Sequence, residues 1–237
     1  MGKGGKRGQV TFFIVLGVVI LFSIIIYALL RTGMQREITP HLQATTLAAC
    51  TEEALEEIFF DIPFYGGYNV QAEKFIPTLF GNIAVYFHKQ IMVPSQEQVQ
   101  KSLENAAKER VVKCMEIERS FRKEIGEITV NIVLSSEDTR AIVTYPGVLV
   151  HDNNEQKAPP IAVRSKARIL ALYTLANRIT HAIASDPLRV PSSDLLAMEE
   201  KEHVAIDTIF GDQNVMYFIT DTADDAMQLT WAFAVRQ

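Results

Sequence analysis

The sequence lacks the motifs by which many enzyme classes are recognised. It contains no Gly-x-Ser-x-Gly, no phosphate-binding loop, no dinucleotide fingerprint and no His-Glu-x-x-His. The five histidines are scattered, and no two of them stand four residues apart as zinc ligands on one helix would. We therefore predict that the protein is not an enzyme, has no catalytic residues, and holds neither a cofactor nor a metal.

Basic residues are scarce once the first 30 positions are set aside. The chain has 23 Lys and Arg against 28 Asp and Glu, which gives a formal net charge of −5. Three of those bases and none of the acids lie in residues 1–30, so the rest of the chain carries a net charge of −8. Because a nucleic-acid-binding surface needs a basic face, this balance argues against a nucleic-acid partner.

Charge is absent altogether from Val10 to Leu30, a stretch of 21 residues with only three polar side chains. As a helix it would span about 31 Å, close to the roughly 30 Å hydrocarbon core of a bilayer. A cleavable secretory signal has a shorter apolar region and a small-residue cleavage site, and neither is present here. The stretch predicts a transmembrane helix over residues 9–31, in contact with membrane lipid.

The flanking cations predict how that helix is oriented. Lys3, Lys6 and Arg7 precede the apolar stretch, whereas Arg31 and Arg36 follow it. The excess of cations on the N-terminal side favours a cytoplasmic N-terminus. The predicted location is the cell membrane, with a single pass and an extracellular C-terminal domain.

The join between the charges and the apolar stretch has a characteristic form. The charges stop at Arg7, and Gly8-Gln9 leads directly into the apolar residues. This resembles archaeal type IV pilin-like precursors, whose short basic leader is removed by a prepilin-type peptidase. The resemblance implies cleavage between Gly8 and Gln9 and an apolar helix that packs against copies of itself. Phe13 stands where many pilins have glutamate, and an uncut signal anchor is the alternative.

The predicted organisation is a leader over residues 1–8, the membrane helix, a linker over 32–39, and an α+β domain over 40–237 with a mostly antiparallel sheet. Ser95 and Gln98 have the spacing of a helix capping box. Apolar spacing predicts helices over about residues 40–60, 95–125, 168–184 and 192–202. Strands are predicted over residues 82–90, 128–134, 140–150, 161–167, 216–220 and 230–235.

The chain has two cysteines, Cys50 and Cys114, and each falls on the apolar stripe of its predicted helix. In an oxidising compartment such a pair is normally joined, so we predict a disulfide bond. The alternative is two reduced cysteines that fill space in the core.

Aromatic residues are densest around the paired glycines at 66 and 67. An exposed patch there would indicate a surface for a protein partner or a sugar, whereas a buried one would close the core where a helix meets the sheet. The candidate partner surface consists of Phe64, Tyr65 and Tyr68.

Together with these features, the resemblance of the N-terminus implies a structural surface protein, a type IV pilin-like filament or pseudopilus subunit. The alternative function is a monomeric, signal-anchored extracytoplasmic binding or sensor domain, in which the apolar helix serves only as a tether.

Overall fold

A computed structural model describes residues 41–69, 72, 74–79, 81–118, 121–124, 126–151, 154–186, 192–223 and 228–236. The chain divides into two compact units, residues 1–46 and 47–237. Only residues 41–46 of the first unit are described, so the fold presented here is that of the second. The predicted leader, membrane helix and linker lie outside the described residues, as do Gly8 and Gln9.

The described residues form four helices and twelve strands. The helices are α1 (His41–Phe64), α2 (Gln96–Ile117), α3 (Ile169–Ser185) and α4 (Ser192–Glu202). The first six strands are β1 (Phe75–Thr78), β2 (Gly81–His88), β3 (Gln90–Ile91), β4 (Phe121–Lys123), β5 (Thr129–Leu134) and β6 (Thr139–Thr144). The others are β7 (Gly147–His151), β8 (Asn154–Lys157), β9 (Ile161–Ser165), β10 (Val204–Phe210), β11 (Asn214–Asp221) and β12 (Thr230–Arg236).

The strands form three sheets. The largest has the order β1-β2-β12-β11-β10, with β3 paired to β2, and two three-stranded sheets have the orders β4-β7-β8 and β5-β6-β9. Every pairing between the described strands is antiparallel except that of β12 with β2. The predicted α+β domain with mostly antiparallel pairing is confirmed, although its strands are divided among three sheets.

The predicted fold class included a transmembrane helix, and this prediction is wrong for the part of the chain that the structure describes. No helix there is both long enough and apolar enough to cross a bilayer. The 24-residue helix α1 has the length, but four glutamates interrupt it, Glu52, Glu53, Glu56 and Glu57, all of them exposed. It is an amphipathic helix that buries one face only. The segment predicted to span the membrane, residues 9–31, is not among the described residues.

Helices α1 and α2 are joined by the predicted disulfide, which is confirmed. Cys50 is bonded to Cys114, and the two Cα atoms lie 5.7 Å apart. Arg110 of α2 forms ion pairs with Glu57 and Asp61 of α1 further along the same helix pair. The contacts run in opposite directions along the two helices, so α1 and α2 are antiparallel.

The turn after α1 is hydrogen-bonded to and packed against the large sheet. The Tyr86 hydroxyl donates to the Gly66 carbonyl oxygen at 2.8 Å and accepts from the Trp231 indole N–H at 3.0 Å, and both rings are fully buried. Gly67 has a positive φ of 79°, and a Cβ atom there would lie 2.9 Å from Val99 and 3.0 Å from the Trp231 ring. Glycine is therefore required by both conformation and space.

We expect Gly67→Ala to lower the free energy of unfolding by about 3 kcal/mol, because it combines a left-handed backbone with overpacking. The matched control is Gly211→Ala. Gly211 lies in an exposed turn, its φ is not in the left-handed region, and its nearest neighbour would be 3.4 Å from the added Cβ. Urea unfolding of both variants checks the prediction, and an equal decrease in the free energy of unfolding for the two variants would contradict it.

Two predicted elements end earlier than the sequence pattern indicated. Helix α2 stops at Ile117, which is 62 % exposed, and Phe121 belongs to strand β4 instead of the buried helix face. The predicted strand 140–150 is two strands in different sheets, because Tyr145-Pro146 interrupts it. Phe121 packs edge-on against the buried Tyr145 ring, with the ring centroids 6.0 Å apart.

Candidate functional site

The predicted partner surface is only partly assembled. Tyr65, 39 % exposed, and the half-buried Tyr68 line one hollow of about 330 Å³ beside strand β1. Phe64 packs edge-on against Tyr65 at 5.8 Å but lines a different hollow, of about 550 Å³, over strands β10 to β12. The neighbouring aromatic Phe59 is fully buried and belongs to the core.

Strand β1 separates the tyrosine hollow from a second one that the sequence did not predict. This hollow, of about 450 Å³, brings together Lys74, His88 and Arg236 from three separate segments. The apolar side of the hollow is formed by Phe75, Ile76, Pro77 and Val85. The Lys74 carbonyl oxygen accepts from the Val85 N–H at 2.9 Å, which fixes the backbone of the lysine against β2. We refer to it as the cationic hollow.

The electrostatic environment of the cationic hollow is positive. The pKa of His88 is lowered, first by partial desolvation and then by the charges of Lys74, Arg236 and Lys89. Among the described residues, none of these three cations takes part in an ion pair. Arg236 donates to the neutral amide oxygen of Gln213 at 3.1 Å. Like charges are thus held together within an acidic protein without a described neutralising group.

A third feature is the free edge of the large sheet at strand β10. At the two ends of β10, the Thr222 N–H donates to the His203 carbonyl oxygen at 3.1 Å and the Gly211 N–H donates to the Asn214 carbonyl oxygen at 2.7 Å. Because hydrogen-bonded residues alternate along an antiparallel pair, the odd-numbered residues of β10 bond to β11. The even-numbered residues direct their backbone groups outward. The Ile206 N–H donates to the Glu199 carboxylate of α4 at 2.6 Å, which covers the first half of that edge.

The second half of the β10 edge, residues 208–210, has no such cover among the described residues. The backbone N–H groups of Thr208 and Phe210 point outward, and no described residue accepts from them. Ile209 is 48 % exposed and Phe210 is 70 % exposed. An edge strand with free backbone groups and exposed apolar side chains is suited to pairing with another strand. We refer to residues 208–210 as the open edge.

The described residues contain no group of three or more His, Cys, Asp or Glu that is placed to hold a metal ion. Comparison of the chain with protein-family models, curated proteins and solved structures found no match. The resemblance of the N-terminus to type IV pilin-like precursors therefore stays a prediction, and the functional argument depends on the hollows and the open edge.

Proposed function

We propose that this chain is an exported structural subunit of the type IV pilin-like class, and that its folded domain associates with a second copy of itself. The open edge is the observation that carries the self-association. The resemblance of the leader, with the predicted junction at Gly8 and Gln9, supplies the class.

The disulfide supports an exported domain. A bond between Cys50 and Cys114 ties helix α1 to helix α2. Structural disulfides form and persist in oxidising compartments and are rare in the cytosol. The bond therefore supports the proposal that the folded domain lies outside the cytoplasm.

The open edge supports a second copy as the partner. Residues 208–210 offer both donors and acceptors, and two identical edges can pair in antiparallel orientation about a twofold axis. The opposite edge of the same sheet, β1, contains Pro77, which has no N–H to donate. Of the two edges, β10 is thus the one whose backbone can pair over successive outward-facing residues.

The test compares Thr208→Pro with Thr208→Ala in the full chain. Because the Thr208 N–H points away from β11, proline removes an outward donor without breaking a bond of the described sheet. We expect the wild type and Thr208→Ala to associate as concentration rises from about 1 to 100 μM, and Thr208→Pro to stay at least tenfold weaker. Sedimentation velocity measures this. A monomeric wild type would overturn the proposal, and equal association of all three proteins would overturn the role of the open edge in it.

A binding domain is the second candidate function, and the hollow lined by Tyr65 and Tyr68 favours it. Its volume of about 330 Å³ is within the range of small-molecule sites, and aromatic walls are typical of them. A protein that stays monomeric in the sedimentation test would favour this function over assembly.

A further inference from the structure

We infer that the cationic hollow binds a small ligand that carries a phosphate or carboxylate group next to an apolar face. The inference goes beyond the proposed function, because it concerns a different part of the surface from the open edge. It would hold whether or not the domain self-associates.

The first argument is the convergence of positive charge. Lys74 precedes β1, His88 ends β2 and Arg236 ends β12, and all three line the same hollow. Holding like charges together is unfavourable unless a counter-charge is present. Among the described residues none of the three forms an ion pair, so an anion from outside would relieve the repulsion.

The second argument is the kind of donor available. The Arg236 guanidinium presents a planar set of N–H groups that matches phosphate and carboxylate oxygens, and Lys74 adds a compact charge. One guanidinium nitrogen donates to Gln213, which restrains the arginine and leaves its other donors for a ligand. Pairing between β2 and β12 brings the ends of these strands, and hence His88 and Arg236, to the same region.

The third argument is the composition of the walls. Beside the cations the hollow is lined by Phe75, Ile76, Pro77 and Val85, and Phe75 is 39 % exposed. Its volume of about 450 Å³ exceeds what a bare inorganic ion needs and falls in the usual range for small-molecule sites. The ligand therefore has an apolar face as well as an anionic group.

Calorimetric titration of the full chain tests this with phenyl phosphate, benzoate, inorganic phosphate and the uncharged benzyl alcohol. We expect phenyl phosphate and benzoate to bind more tightly than inorganic phosphate, and benzyl alcohol not to bind. Lys74→Gln and Arg236→Gln should each weaken the binding of phenyl phosphate at least about tenfold. The matched control is Lys113→Gln, which removes an exposed cation of α2 that does not line the hollow and should leave affinity unchanged.

A second readout is the titration of His88, followed by its ring proton signal in NMR spectra. Bound phosphate or carboxylate would offset the charges of Lys74, Lys89 and Arg236, so the pKa of His88 should rise when phenyl phosphate is added. The inference is overturned if no anionic probe binds, if benzyl alcohol binds equally well, or if Lys113→Gln loses as much affinity as the other two variants.

Discussion

Arg168→Met is expected to lower the free energy of unfolding by about 3–5 kcal/mol, because it leaves a buried carboxylate without its partner. Arg168 precedes α3, and its guanidinium forms two hydrogen bonds with Asp221 at the end of β11, at 2.8 and 2.5 Å. It also donates to the carbonyl oxygens of Glu202 and His203 at 3.1 and 3.2 Å. One side chain thus holds the start of α3, the end of β11 and the α4–β10 turn.

The burial of the Arg168 and Asp221 side chains determines how much stability Arg168→Met loses. The side chain of Arg168 is 18 % exposed and that of Asp221 only 6 % exposed, so water cannot replace the lost bonds. We expect the double variant Arg168→Met/Asp221→Leu to recover most of the loss, since it removes both charges together. Urea unfolding at neutral pH measures the wild type, Arg168→Met, Asp221→Leu and the double variant. Additive losses in the double variant would contradict a coupled ion pair.

Loss of the Cys50–Cys114 bond is expected to lower the free energy of unfolding by about 4 kcal/mol. The two cysteines are 64 residues apart, and on the chain-entropy model a closed loop of that length restricts the unfolded chain by about this amount. Cys50→Ala, Cys114→Ala and the double variant should all lose nearly the same stability, because either change alone opens the loop.

Equilibrium unfolding of the oxidised wild type and the three variants tests that equality, and non-reducing peptide mapping of exported protein tests the bond itself. Small losses that add in the double variant would mean that the thiols act as separate core residues. Two freely alkylated thiols would contradict both the bond and the argument from the oxidising compartment.

Features of the fold that depend on residues close together in the sequence were predictable. The Ser95 and Gln98 capping box is present with both hydrogen bonds. Strand β5 alternates buried and exposed side chains as its sequence indicates. The sequence did not predict β10, because its side chains are mostly half-buried or exposed in no regular alternation. It did not predict β1, because Pro77 obscured the strand pattern.

The candidate site was less predictable, because it depends on pairing between distant segments. Lys74 and His88 flank the β1–β2 hairpin, whereas Arg236 lies far along the chain and joins them because β12 pairs with β2. No local pattern specifies that pairing. Tyr65 and Tyr68 were identified from composition, whereas the orientation of Phe64 toward another hollow depends on how α1 ends.

Amide hydrogen exchange at the open edge tests the central claim most directly. The full chain is labelled in deuterated buffer at about 1 and 100 μM, and the peptide covering residues 204–213 is followed by mass spectrometry. Pairing with a second copy predicts that exchange in this peptide slows at the higher concentration, while a peptide over the Pro77-containing edge strand β1 is unchanged. Equal exchange of residues 204–213 at both concentrations would contradict self-association through β10.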